Sequence, residues 1–366
     1  AALLLITLAV APAWAQPQKK WNVVATTFPA WDWLRQVLGA DAEQVNLVLL
    51  QESGADLHNF QPSVQDIVTV STADLFVYIG GPSDNWVKDA LAQATNPDMQ
   101  VVNLMETLGE DVKVEVSVEG MQAGAHAHDD DDHDHEAEVH DEHDHEAEAH
   151  GEHEHEAETH NDHQHEAEVH GDHEHDHDHG DETTHAHSHN DEHIWLSLTN
   201  AQKLTQALAD ALSRLDAQRG SVWQQNARQY IEELARLDQQ YHKALDPLPD
   251  KTLLFGDRFP FRYLMDDYGI RYYAAFSGCS AESEASFETV AFLAGKVNEL
   301  NLPVVLTIDG SDGRIAQAVV SASGTTPGVD TLNAMQTITR QDIEAGASYL
   351  HIMQQNLQVL EKALKP

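Results

Sequence analysis

The chain has 366 residues and a single cysteine, Cys279, so no internal disulfide can staple its fold. Cations are also scarce: 20 Lys and Arg stand against 62 Asp and Glu, a formal net charge of −42. A surface of that sign repels nucleic acid and anionic lipid, both of which reward Lys and Arg, and attracts cations. From residue 126 to 193 there is no Lys or Arg at all, against 27 Asp or Glu. No apolar run reaches the ~20 residues that a bilayer-spanning helix needs. The run over residues 1–11 is too short, and Ala13-Trp14-Ala15 behind it has the small-x-small form of a cleavage site. Residues 1–15 therefore predict a cleaved secretory signal and a periplasmic or otherwise extracytoplasmic protein. No Cys lies near that site, which argues against lipid attachment at that point. The sequence also lacks a His-Glu-x-x-His motif and a nucleophile elbow, so the features of a metallohydrolase or serine hydrolase are missing.

What is present falls into three blocks. Over residues 21–118, short apolar runs such as Val23-Val24-Ala25-Thr26-Thr27 and Leu75-Phe76-Val77-Tyr78-Ile79 alternate with helical patterns. Ser63 and Asp66 are placed to start one of these helices. Such alternation predicts an α/β lobe with a parallel sheet covered by helices. Residues 119–189 are low in complexity. A ten-residue repeat, HDHEAEVHDE, begins at His133 and recurs from His143, His153 and His163, with a degenerate copy from His173. With almost no aliphatic residues, this block cannot offset the entropy of ordering and is expected to be disordered without ligand. The third block opens with Thr199-x-x-Gln202, a predicted capping box before a helix showing Leu204, Leu208, Leu212 and Leu215. Ser221-x-x-Gln224 predicts the start of a longer helix whose stripe is Tyr230, Leu234, Leu237, Tyr241 and Leu245. About 25 residues at 1.5 Å rise give a rod of roughly 37 Å. Strand-like runs at Leu253-Leu254-Phe255, Tyr272 to Phe276 and Val304 to Ile308 then predict a second α/β lobe, closed by a helical stretch over residues 342–364.

Histidine carries the chemistry. Of 25 histidines, 21 lie between His126 and His189. Neutral imidazole binds Zn, Cu and Ni, and flanking carboxylates add oxygen ligands. The pairs His133 and His135, His143 and His145, His153 and His155, His163 and His165, and His173 and His175 each offer two rings on a flexible backbone. They are expected to hold several ions weakly, as an accessory metal loop. Outside the block, His242 and His351 read as exposed helix positions. His58 lies in a loop between a strand and a helix, and His193 directly precedes Ile194-Trp195-Leu196. Ligands of open α/β sheets bind in such loops, so these two are the candidate ligands of a separate, preorganised site.

Several stretches together resemble the metal-binding receptors of ABC importers, in the zinc-uptake (ZnuA-type) branch. They are Val24-Ala25-Thr26-Thr27-Phe28-Pro29, Gly54 through Ser63, Ala73-Asp74-Leu75-Phe76-Val77-Tyr78 and Asp191-Glu192-His193-Ile194-Trp195-Leu196. An acidic His-rich loop before the second His is typical of that branch. The resemblance implies two α/β lobes, each a mostly parallel sheet flanked by helices, joined by one long rigid helix, with metal in the cleft between them. The divisions expected are a first lobe over 16–118 and 190–218, the His-rich loop over 119–189, a linking helix over 219–247 and a second lobe over 248–366. His58 and His193 match the first two metal ligands of the family. The third His position is held by Gly256, in Phe255-Gly256-Asp257-Arg258-Phe259, which leaves neighbouring Asp257 to supply an oxygen. A late carboxylate matches Asp330. Cys279, Glu282 and Glu284 are further candidates for completing the shell.

The resulting expectation is an extracytoplasmic receptor that is not an enzyme. It captures Zn2+ as cargo, passes it to the membrane permease of an ABC importer, binds no nucleic acid and acts as a monomer. The alternatives are a Mn2+ or Fe2+ receptor of the same family, and a metal buffer or adhesin without an uptake role.

Overall fold

A computed structural model describes residues 20–122, 190–278 and 284–365. The signal-like run, the His-rich repeats with their paired histidines, Cys279 and Glu282 lie outside the described residues. Among the described residues no helix is long and apolar enough to cross a membrane.

The first lobe is built from β1 (Asn22–Ala25), α1 (Phe28–Leu38), β2 (Asn46–Leu49), α2 (Val64–Ser71), β3 (Leu75–Tyr78), α3 (Val87–Ala92), β4 (Gln100–Asn103) and α4 (Leu104–Leu108). Its four strands are all parallel, in the order β2-β1-β3-β4. Val23, Val24, Ala25, Leu75, Phe76 and Val77 are buried, as expected of strands covered on both faces. The helix start anticipated at Ser63 and Asp66 forms, and as a capping box, with the Asp66 carboxylate accepting the Ser63 N–H.

After residue 190 come α5 (Leu198–Leu215) and α6 (Gly220–Leu245). Both begin earlier than the sequence patterns predict. Ser197, not Thr199, caps α5, because its hydroxyl accepts the Asn200 N–H at 3.1 Å. Ser221 lies inside α6, which opens at Gly220 behind Arg219. Tyr230, Leu234, Leu237, Tyr241 and Leu245 of α6 are all buried, so the apolar stripe does form the inner face of a 26-residue rod.

The second lobe contains β5 (Thr252–Phe259), α7 (Arg262–Tyr268), β6 (Arg271–Ser277), α8 (Phe287–Leu300), β7 (Val304–Ile308), α9 (Arg314–Ala322), β8 (Gly328–Leu332), α10 (Arg340–Glu344) and α11 (Tyr349–Leu364). Its sheet, again all parallel, has the order β6-β5-β7-β8. That is the order of the first sheet repeated. The single closing helix anticipated over residues 342–364 is instead two, broken where Gly346 takes a φ of 99° that suits glycine. The largest apolar cluster runs from Val23 through α6 to Leu364, so the two lobes and the rod share one continuous core.

Candidate metal centre

Strands of both lobes point their carboxyl ends toward one cleft, and the loops leaving those ends build the site. Behind β2, a short 3-10 turn over Leu57–Asn59 presents His58. Asp56 caps that turn by accepting the His58 N–H at 3.0 Å. The second imidazole, His193, immediately precedes a 3-10 turn over Ile194–Leu196 and is fully buried. Trp195 stands edge-on to it, with ring centroids 5.3 Å apart.

Each imidazole is held from behind. His193 Nδ1 lies 2.8 Å from Asp191 Oδ1, which also accepts the His193 backbone N–H at 2.9 Å. His58 Nδ1 lies 2.9 Å from Ser83 Oγ. That hydroxyl donates to Glu192 Oε2 at 2.5 Å, so it accepts from His58 Nδ1–H. Both rings therefore carry their proton on Nδ1 and turn the Nε2 lone pair outward, the tautomer that a metal ligand needs. Burial, and next the neighbouring His193, push His58 down to about 3, so the ring stays neutral well below its ordinary range.

The two Nε2 atoms lie 3.3 Å apart. With both protons on Nδ1, neither Nε2 can donate to the other. The partner comes from the second lobe: Gln336 Nε2 lies 3.0 Å from His193 Nε2 and 3.4 Å from His58 Nε2. Asp309, just past β7, fixes the segment that carries Gln336. Its carboxylate accepts N–H groups from Ala334 at 2.5 Å, Gln336 at 3.2 Å and Thr337 at 3.2 Å, and the Thr337 hydroxyl at 2.9 Å. Trp195 reaches across to the same segment, donating Nε1–H to Ala334 O at 2.8 Å.

Ion pairs close the rim. Arg258 of β5 meets Asp56 at 2.6 Å, and Arg340 holds both Glu52 oxygens, at 2.7 and 2.8 Å. Ser53 and Thr339 form an antiparallel bridge beside the second pair. Only 11% of the His58 side chain is exposed. An open cavity of about 930 Å3 lies elsewhere, among Leu248, Arg271, Leu302, Thr325 and Leu364 at the amino ends of the second lobe's strands.

Of the anticipated ligands within the described residues, the structure brings together His58 and His193 and not Asp257, Asp330 or Glu284. Asp257 is engaged by backbone, accepting from Arg258 N at 2.9 Å and Ile308 N at 3.5 Å. Asp330 lies on β8 and pairs with Lys362 at 2.6 Å. Glu284 is exposed. Among the described residues, no group of three or more His, Cys, Asp or Glu is arranged to hold an ion. Gly256 has no room for an imidazole: a Cβ there would lie 2.5 Å from Ala316 Cα in α9. Gln336 is the residue that sequence reasoning missed. Nothing in Asn333-Ala334-Met335-Gln336-Thr337 has the spacing of a ligand motif, and it is the Asp309 anchor, with Trp195 at Ala334, that fixes the segment.

Two parallel-sheet lobes on a connecting rod, with paired imidazoles of one lobe meeting an amide of the other, define a class of two-lobed α/β proteins with a site where the lobes meet. Comparison with known proteins is more specific. The family described as zinc-uptake complex component A, periplasmic (ZnuA), matches residues 23–363, and the chain belongs to it. The zinc-binding lipoprotein AdcA of Streptococcus pneumoniae is 26% identical over 347 residues, which is 95% of this chain and 56% of AdcA. The chain thus spans little more than half the length of that relative. The high-affinity zinc uptake system protein ZnuA of Bacillus subtilis is 25% identical over 345 residues, 94% of this chain and 88% of its own length. Among solved structures, the Zn(II)-bound ZnuA-like domain of S. pneumoniae AdcA superposes with a TM-score of 0.63 at 22% identity, covering 95% of this chain and all of that one.

Proposed function

We propose that the chain is an extracytoplasmic receptor that captures Zn2+ between its lobes and delivers it to the membrane permease of an ABC importer. The observation that carries this reading is the 3.3 Å separation of two outward-facing Nε2 atoms. Two nitrogens bound at ~2.0–2.1 Å to one tetrahedral Zn2+ lie about 3.3–3.4 Å apart, so the rings already stand at the spacing the ion needs. Gln336 then has a natural part: turned over, its amide offers Oε1 in place of Nε2. With two neutral imidazoles and a neutral amide, the donors favour Zn2+ over Mn2+, which prefers carboxylate oxygen. The burial of His193 and near-burial of His58 support reading the chain as a receptor rather than an enzyme. The acidic surface supports cation capture without nucleic-acid binding, by a monomer. The histidine-rich repeats add weak accessory binding.

The test is a chelator-competition titration of the full chain with Zn2+, beside His58→Ala and His193→Ala. Each variant is expected to lose the tight equivalent and keep the weak ones. Tight binding that survives both changes removes the cleft from the function.

A further inference from the structure

Resting on that reading, we propose that Tyr263 is a positioning residue for metal capture: from the second lobe, its hydroxyl fixes the Asp191–His193 pair that presents one imidazole to the ion.

Tyr263 belongs to α7 and its side chain is fully buried. Burial raises its phenol far above the ordinary range, so the hydroxyl keeps its proton and serves as one donor and one acceptor. Both capacities are spent on the support of His193. The hydroxyl donates to Asp191 O at 2.9 Å and accepts the Lys113 N–H at 2.9 Å. Lys113 O in turn accepts the Asp191 N–H at 2.8 Å. The two main-chain polar groups of Asp191 are therefore tied through one hydroxyl and one neighbouring peptide, while its carboxylate holds His193 at Nδ1 and at the backbone N–H.

The surrounding contacts make this a link between lobes. Val114 and Asn190 form an antiparallel bridge beside the Lys113–Asp191 bond. From there the chain crosses to the second lobe, where Gln122 donates its N–H to Ala275 O of β6 at 2.9 Å and accepts from Ser286 N, at the start of α8, at 2.8 Å. Lys113 Nζ pairs with Asp266 at 2.9 Å, also on α7. A first-lobe imidazole is thus oriented by a hydroxyl that belongs to the second lobe. Groups that orient a ligating histidine typically carry 10–100-fold of metal affinity, and a group one bond further out is expected to carry the lower figure.

The experiment uses the full chain and Zn2+ as probe, with chelator competition to read the tight class. Tyr263→Phe keeps the ring and the packing and removes only the hydroxyl. It is expected to weaken the tight class by about tenfold and to speed Zn2+ release. A double-mutant cycle with Asp191→Asn separates positioning from general loosening: Tyr263→Phe is expected to cost nearly nothing further in the Asp191→Asn background, because both act on the same imidazole. Lys113→Ala removes the neighbouring ion pair but keeps the backbone bonds, and is expected to leave affinity within about twofold. Wild-type affinity in Tyr263→Phe, equal losses in both Asp191 backgrounds, or an equal loss in Lys113→Ala would each overturn the assignment. His193→Ala keeps the two readings apart. If it abolishes tight binding while Tyr263→Phe does not weaken it, only the role of Tyr263 fails; if His193→Ala binds like wild type, the cleft site fails with it.

Discussion

The two lobes repeat one strand order but bring unequal chemistry to the cleft. The first supplies two imidazoles, each backed by a carboxylate system: Asp191 behind His193, and Ser83 with Glu192 behind His58. The second supplies a neutral amide, Gln336, backed by Asp309. Past the third strand of each lobe stands a carboxylate, Asp84 or Asp309, whose pKa is raised by burial. They differ in how well they are satisfied. Asp309 gathers four donors, whereas Asp84 takes the Gly80 N–H on Oδ2 and leaves Oδ1 without a partner. The architecture is shared, and the loops decide what each half contributes.

The sharpest break in that comparison is removal of an imidazole. His58→Ala or His193→Ala is expected to weaken tight Zn2+ binding by roughly 100-fold or more, since a multi-ligand zinc site spreads its binding energy over only a few ligands. Asp191→Asn keeps a hydrogen-bond acceptor but weakens the hold on His193 Nδ1–H, and about 10–100-fold is expected by the same titration. Changing the second lobe's contribution tests the asymmetry directly. Gln336→Glu puts a charge beside the imidazoles and is expected to tighten Zn2+ by about tenfold while raising Mn2+ binding more. Unchanged selectivity in that variant would mean that position 336 does not meet the ion.

The smallest effects are on stability and have opposite signs in pH. His58, held at about 3 when folded, binds fewer protons folded than unfolded. Its contribution is full above the unfolded value of ~6.5 and is lost as pH falls from there toward 3. Asp84, raised to about 6, contributes stability that is full below its unfolded value and lost as pH rises through 6. Asp84→Asn is therefore expected to stabilise the metal-free chain by about 1–2 kcal/mol at pH 7.5 and to do little at pH 4. His58→Asn should flatten the fall in the urea midpoint between pH 6.5 and 4. The depressed His58 also implies that protons compete weakly for that ring, so tight Zn2+ binding should fall less between pH 7.5 and 5 than weak binding does. Imidazoles of ordinary pKa, as expected for the repeats, would by then be protonated and release theirs.

Much of this was readable in advance, for identifiable reasons. Runs such as Val304 to Ile308 are continuous apolar segments of strand length, and the stripe from Tyr230 to Leu245 keeps a helical period, so both elements announce themselves. Boundaries were less legible because Ser197 and Thr199 are chemically equivalent caps two residues apart, and only the backbone decides between them. The break in the final helix depends on one glycine, Gly346, adopting a positive φ. At the site, His58 and His193 stood out as rare residues at loop junctions. Gln336 did not, because its role depends on Asp309, 27 residues away, and on Trp195, 141 residues away. Asp257 and Asp330 looked suitable by residue type, but the backbone N–H of Ile308 and the ammonium of Lys362 had already engaged them.

The close approach at Gly256 limits how this protein can change. Because α9 backbone lies against that glycine, adding any side chain displaces a helix before it adds a ligand. Gaining a third imidazole by that route passes through intermediates that lose packing and gain no binding, so selection has no slope to follow. Position 336 carries no such barrier, since Gln and Glu differ by one terminal group of the same shape. Divergence in metal preference among descendants of this chain should therefore accumulate at 336 and leave 256 as glycine.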